Sequence, residues 1–565
     1  MPAVYRSRTS SLAMIAMLVA LTATTAGAAA TGYGDAAAST RNSLPRTSAG
    51  TSLPTLRLAG GPPRSLDDVW LGFNELFLEV NAGLTHILPS GTVVPDLATW
   101  TLSKNRLVYT FTVRRTARFS NGHSVTAQDA AFSLKRFLTP SLGSAGLTYF
   151  GLIRGAAAFN AGKTKTLSGI KVLSRRTLQI TITKPAVYFP LALANYSAVF
   201  DPAAVAGRSL GNPSDQFQTG YLSTTCAANQ GAGPFEFVCH DDSSTIHSFY
   251  SGDLPSYTLE PNPYYYGHKP HIRLEYGTYP DVYKAYLAGE VDASAHLPLL
   301  VEARRTRSDY HEFPSSALEF LTPNVHLAPF NNVHCRLAVA YALDRTALAS
   351  QVLDSIRRPT YAIVPKGMLG YYPGNDNPHY NLSRARSELA RCPNRTTPVV
   401  LTYLNSGVSS RNAGASIVRM LADAGFHITL TLISNSDWHT VVTHPLDQSH
   451  TQIVLNEWAQ DYSDPQDYLT LMLRSGQQFN AGGWHNAAYD RLVDRADVLA
   501  NPKKRAQLYI QAQHIALSQG AFISISYKIG FALIKPYVHG LVGTEAYNWL
   551  MPRNFDWAEV SIGKH

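Results

Sequence analysis

The chain has 565 residues, 45% of them hydrophobic and 15% charged, with 48 Lys and Arg against 39 Asp and Glu for a formal net charge of +9. That length allows about three packed units and ample apolar material for a core. The basic residues are scattered, with no run of five or more Lys or Arg, which excludes the clustered stripe of a nucleic-acid binder.

The N-terminus has the order of a secretory signal peptide. Arg6 and Arg8 form a short basic region, Ser11 to Thr25 an apolar run, and Ala26-Gly27-Ala28-Ala29-Ala30 the small residues that suit signal peptidase. A retained anchor helix is the alternative, but the run is short for a span of about 20 residues. Residues 1–30 are therefore expected to be removed, which takes away two positive charges. The mature protein is expected outside the cytoplasm, in the periplasm or on the outer face of the membrane. No cysteine lies in this region, so the usual attachment point for lipid is missing. Residues 31–52 are rich in Gly, Ser, Thr and Ala without periodicity and read as a flexible tether.

Leu56-Arg57-Leu58-Ala59 predicts a first short strand. Leu107 to Val113 alternates with period two and predicts another. Ser120-Asn121-Gly122-His123 is a turn signal. Thr126 followed by Asp129 is a capping box, opening a helix over Gln128 to Phe137. Thr177 to Thr183 alternates again and stops at Lys184-Pro185. Later, Val399 to Leu404 and His427 to Ile433 predict strands flanking an amphipathic helix from Arg411 to Ala424, with Gly425 as its stop. That strand–helix–strand order predicts a parallel pair. Tyr489, Leu492, Val493, Ala496 and Leu499 share one helical face; Leu508, Tyr509, Ala512, Ile515 and Ala516 share another. Phe522 to Tyr527 alternates as a strand. No internal repeat or coiled-coil heptad is present. The fold class is mixed α/β with at least two lobes.

Four cysteines, Cys226, Cys239, Cys335 and Cys392, allow three pairings. An even count in an exported chain favours disulfides. The expected pairs are Cys226–Cys239, closing a short loop, and Cys335–Cys392. The 30 tyrosines offer stacking faces with hydroxyls, which suits a cleft lining, although most are expected to be half-buried surface residues.

From about Leu53 onward, six stretches in order resemble the family 5 bacterial extracellular solute-binding proteins, the peptide- and nickel-binding components of ABC importers. They are Val94-Pro95-Asp96-Leu97-Ala98-Thr99-Trp100 with Phe119-Ser120-Asn121-Gly122 and Thr126-Ala127-Gln128-Asp129; Gly231-Ala232-Gly233-Pro234-Phe235; Asn262-Pro263-Tyr264-Tyr265 with Gly289-Glu290-Val291-Asp292; Pro329-Phe330 with Arg336 to Arg345; Trp458-Ala459-Gln460-Asp461-Tyr462-Ser463-Asp464-Pro465; and Lys535-Pro536-Tyr537-Val538-His539-Gly540. Glu260-Pro261 departs from the family's usual Arg before the Asn. The Arg336 and Asp344-Arg345 charges are expected to be structural, and the glycines of the second stretch to serve a tight backbone path.

The resemblance implies a two-lobed periplasmic-binding-protein-like fold with a hinge and an additional small N-terminal subdomain. Mapped here, lobe I takes 53–89, 170–317 and 525–565, the small subdomain 90–169, and lobe II 318–524. The crossings fall near Leu318–Leu321 and Phe522–Tyr527. The implied activity is capture of a peptide between the lobes and its delivery to ABC transporter permease subunits. The chain is expected to act as a monomer, without a cofactor or metal. Asp461 takes the family role of holding the peptide ammonium. Trp458 would present an aromatic wall, Tyr462 a further contact beside Asp461, and Tyr149 a hydroxyl from the small subdomain. Asp464, before Pro465, suits a capping role instead.

Two other readings stand beside this one. A non-peptide solute, such as a metal chelate, sugar, haem or opine, is the alternative within the class. A secreted hydrolase is the alternative outside it: Gly207-Arg208-Ser209-Leu210-Gly211 matches G-x-S-x-G, but Asp201-Pro202 before it and Asn212-Pro213 after it predict a loop rather than a nucleophile elbow. His240, Asp241, Asp242 and His247 read as a polar loop rather than a metal site.

Overall fold

The computed structural model describes residues 53–59, 79–88, 91–139, 146–196, 198–202, 231–238, 256–277, 279–294, 307–352, 357–375, 377–405, 408–434, 451–541 and 556–564. The expected signal peptide and tether, Cys226, Cys239, the G-x-S-x-G stretch and the His240–His247 segment lie outside the described residues.

Helix starts follow from capping chemistry. Thr126 accepts from the amide of Asp129 and Asp129 returns a carboxylate to the Thr126 amide, so the expected capping box opens Ala127–Phe137. Asn332, Asn381, Asn486 and Asn501 cap Val333–Ala342, Leu382–Ala390, Ala487–Val498 and Pro502–Ser518 in the same way, each accepting from an amide of the first turn. The helix Val408–Ala424 ends at Gly425, whose φ of 109° suits only glycine comfortably. The strands on either side, Val399–Leu404 and Ile428–Ile433, pair in parallel, as the alternation and the intervening helix predict.

Among the described residues the two lobes share one 11-stranded sheet, with Arg357–Pro359 pairing off the main path against Ile523–Ile534. Two long antiparallel strands, Tyr310–Pro323 and Ile523–Ile534, run through its middle and belong to both halves. On one side follow Ala293–Ser294, Thr55–Ala59, Arg273–Gly277, Ser256–Pro261 and Phe235–Phe237; on the other, Ile453–Trp458, Val399–Leu404 and Ile428–Ile433. The ladder between the long strands is broken at its centre. Pro314 faces Ile529 and Leu318 faces Tyr527, so three residues on one strand oppose Lys528 alone on the other. Such a bulge bends and twists the strand that carries it. Sequence alternation marks Phe522–Tyr527 as a strand but not its full reach to Ile534, because the Lys528-Ile529-Gly530 centre breaks the apolar pattern.

A separate four-stranded antiparallel sheet forms the small subdomain: Ala98–Leu102, Val108–Val113, Thr177–Thr181 and Ile170–Ser174, in that order. The expected border at residue 169 falls just before Ile170–Ser174 and Thr177–Thr181, the two later strands of this sheet. Alternation identifies Thr177–Thr181 as a strand but says nothing about its partner, which is Val108–Thr112. The Ala127–Phe137 helix lies against this sheet. Phe111, Phe150 and Phe189 of this region share a buried apolar cluster with Leu318, Tyr462 and Tyr468 of the later half.

Cys335 and Cys392 form a disulfide between completely buried residues, joining the Val333–Ala342 helix to the end of Leu382–Ala390. Arg336 donates to the carbonyls of Phe330 and Gln519, and Arg345, 1% exposed, to those of Ser524, Ala340 and Pro378. Both guanidiniums are structural, as expected. A Cβ on Gly231 would stand 1.7 Å from the carbonyl oxygen of Val80, and one on Gly233 2.5 Å from that of Glu79. Glycine here answers a close backbone approach. Glu260, at the departure from the family pattern, pairs with Arg273 on the neighbouring strand.

Candidate functional site

The strand Ile453–Trp458 is buried along its first four residues and half-buried at its end. Its neighbour Tyr310–Pro323 fixes its register, with Leu318 opposite Trp458. The chain then turns through residues 459–464 and enters the helix Pro465–Leu473. Asp464 caps that helix, accepting from the Gln466 amide at 2.9 Å, and Pro465 occupies its first turn. Asp464 also takes both terminal nitrogens of Arg505 at 2.8 Å each. Both partners are buried, so this bidentate pair neutralises the acid where water cannot.

Asp461, 5% exposed, lies in the turn between. Its Oδ2 accepts the hydroxyl proton of Tyr149 at 2.6 Å, and its backbone carbonyl accepts from Asn195 Nδ2 at 2.6 Å. Tyr149 stands in the short helix Gly146–Phe150 and Asn195 in the helix Phe189–Tyr196. Both reach Asp461 from the earlier part of the chain, so the Asp461 turn is a junction between lobes. Tyr462 is 1% exposed. Its ring stacks on Tyr188 at 5.9 Å and 5°, meets Tyr149 edge-on at 6.4 Å, and its hydroxyl bonds Gln466. Burial is the main reason the Tyr462 phenol is held well above its ordinary range, with the Asp467 charge second. Trp458 packs edge-on against Phe479 at 4.8 Å, and its indole N–H donates to Asp467 Oδ2 at 3.0 Å. The same oxygen accepts the Asp461 amide at 3.1 Å.

The four sequence-selected residues thus share one constellation. Tyr149 touches the Asp461 carboxylate and the Tyr462 ring, while Trp458 joins Asp461 through Asp467. Tyr462 is the most enclosed and makes its contacts inward. Sequence reading missed Asn195, Tyr188, Asp467 and Arg505. The first two lie more than 260 residues from their partners, and no local pattern signals such a contact. Asp467 did carry a signal, an acid in the first turn of a helix already capped by another acid.

Below this turn Asp497, completely buried, accepts from Tyr509 at 2.8 Å and from Thr470 at 3.0 Å. Burial raises its carboxyl to about 6 against the lowering effect of Lys184 and these hydroxyls. Nearby, Arg106 of the small subdomain donates to the carbonyl of Val498, the last residue of the helix Ala487–Val498, at 3.0 Å. Arg106 adopts φ of 60°, a left-handed conformation uncommon for a side-chain-bearing residue. A cation at a helix C-terminus meets the negative end of its dipole. Among the described residues no cluster of three or more His, Cys, Asp or Glu is placed to hold a metal, and no helix is long and apolar enough to cross a membrane.

Residues 92–480 match the model of the bacterial extracellular solute-binding proteins, family 5. The dipeptide-binding protein DppE of Bacillus subtilis is 27% identical over 85% of this chain and 88% of its own length. The oligopeptide-binding protein OppA of the same organism is 26% identical over 77% and 80%. The solved murein tripeptide-binding protein MppA of Escherichia coli superposes with a TM-score of 0.70 over 91% of this chain and 99% of its own, at 21% identity, which speaks for the fold alone. The match to the family model takes in the four-stranded sheet, the central strand Tyr310–Pro323 and the Asp461 turn, and the chain belongs to the bacterial extracellular solute-binding proteins, family 5.

Proposed function

We propose that this protein is an exported receptor that encloses a peptide between its lobes, holds the peptide's amino terminus at Asp461, and passes it to the permease subunits of an ABC importer. The observation that carries the reading is the Asp461 turn itself. A nearly buried acid stands where the small subdomain meets the second lobe, and Tyr149 from the opposite side donates to its carboxylate. Enclosing an ammonium strips its water, which is costly unless a carboxylate and further hydrogen bonds replace it. Asp461 supplies the carboxylate. The Tyr149 and Trp458 rings beside it supply faces favourable to a cation, and Tyr188 and Tyr462, stacked on each other, exclude water. Names of similar proteins that bind peptides support the same cargo.

The lobe borders fit this reading when the crossings are put in the long strands 310–323 and 523–534, with lobe I taking 53–89, 182–314 and 529–565, the small subdomain 90–181, and lobe II 315–528. Export through residues 1–30 completes it, with the binding role requiring no catalysis by the chain.

The test is thermal shift and titration calorimetry with a defined library of short peptides and their N-acetylated forms. Free-amine peptides are expected to raise Tm by mass action, and acetylated ones far less. Equal shifts for both forms would overturn the ammonium assignment and return the non-peptide solutes to first place.

A further inference from the structure

We infer that Asp467 is a positioning residue of the ammonium site, holding the Trp458 indole and the Asp461 backbone in place through a single oxygen. The inference rests on the reading above, in which Asp461 meets the cargo. Asp467 is the third residue of the helix Pro465–Leu473. An acid there ordinarily turns back to serve the start of its own helix. Asp464 already does so. Asp467 reaches instead into the turn before it, where Oδ2 accepts from Trp458 Nε1 at 3.0 Å and from the Asp461 amide at 3.1 Å. These two bonds fix the aromatic wall relative to the acid.

The environment fits a neutral group in this role. The Asp467 side chain is completely buried, and its Oδ1 has no hydrogen-bond partner. The titratable groups around it are Asp461, Asp464, Tyr462 and Tyr468, and Asp464 is neutralised by Arg505. Burial first, and the Asp461 charge second, hold the Asp467 carboxyl well above the ordinary carboxylate range. That direction favours the protonated carboxyl, whose Oδ2 accepts as a carbonyl oxygen does. The junction then offers one negative charge, on Asp461, and the site selects a monocation at that end of the cargo.

An amide can reproduce both accepted bonds without charge; an alkyl side chain cannot. Asp467→Asn, Asp467→Leu and Asp461→Asn are therefore compared with the native protein by titration of Ala-Ala-Ala and its N-acetyl form, with the Tm of each ligand-free variant as a control. Asp467→Asn is expected to bind the free-amine peptide within about threefold of the native protein. Asp467→Leu loses about 30-fold, the equivalent of two hydrogen bonds, and changes binding of the acetylated peptide much less. If Asp467→Leu does not fold, Trp458→Phe deletes one of the two bonds while keeping a ring, and a loss of about fivefold confined to the free-amine peptide is expected. A loss in Asp467→Asn as large as that in Asp461→Asn overturns the inference, because the charge of Asp467 would then be in use. Native affinity in Asp467→Leu, or in Trp458→Phe, overturns it as well. Native affinity in Asp461→Asn, or no binding of Ala-Ala-Ala by the native protein, overturns the ammonium reading itself.

Discussion

The two lobes meet along two seams of different construction. At the hinge, Tyr310–Pro323 and Ile523–Ile534 carry a backbone ladder from one lobe into the other, interrupted only at the bulge. At the mouth, the contacts are single side chains: Tyr149 and Asn195 on Asp461, Tyr188 on Tyr462, and Arg106 on the end of the Ala487–Val498 helix. Each mouth contact contributes about 1 kcal/mol net, somewhat more where a charge takes part. A handful of such bonds can be exchanged for water and remade, whereas the backbone of each hinge strand is continuous and its ladder holds many bonds at once. On the reading proposed above, the difference teaches where motion is permitted: the mouth is the seam that can open, and the bulge is where the hinge can bend.

That contrast can be broken at either seam, with a site away from both as reference. Replacing Cys335 and Cys392 by Ala releases a 57-residue loop inside the second lobe. The expected cost is about 4 kcal/mol of stability, seen as a lowered Tm with peptide affinity unchanged; a change in affinity would show that the mouth depends on this lobe's packing. Asp461→Asn acts on the mouth directly. It is expected to weaken binding of free-amine peptides about 100-fold, by calorimetry, with a small effect on Tm. Tyr149→Phe removes one charge-assisted bond across the mouth and is expected to weaken the same peptides about tenfold. Arg106→Ala, at the rim, is expected to cost about threefold, mainly as faster dissociation in stopped flow. An Arg106→Ala effect larger than that of Tyr149→Phe would move the main closing contact from the Asp461 turn to the rim.

Local chemistry made much of this molecule legible in its sequence. Thr126 with Asp129, the Gly425 stop and the parallel strand pair around 411–424 all depend on neighbours in the chain, and each is where the pattern puts it. Cys335 and Cys392 were found by count and placement. Strand partners were not legible: Thr177–Thr181 alternates as any half-buried strand does, and only the fold assigns it to the small subdomain. The acids of the 461–467 stretch divide the same way. Asp464, before a proline, announces its capping role, while its bond to Arg505, 41 residues on, does not show. The role proposed for Asp461 rests on family resemblance, while its partner Asn195, and Tyr188 stacked on Tyr462, come only from three-dimensional contact.

The central bulge has a consequence for how news of a bound guest could spread. The carbonyl of Ser316, inside the bulge, accepts the Tyr468 hydroxyl at 2.6 Å, and the Ser316 hydroxyl receives the Gln460 amide at 3.4 Å. Gln460 is the residue before Asp461, and Tyr468 follows Asp467. The joint and the grip are thus fastened to one another over a few ångströms, so flexing one must tug the other. On the reading proposed above, occupancy and lobe angle would be two readings of the same displacement, a signal open to a membrane partner that does not touch the cargo.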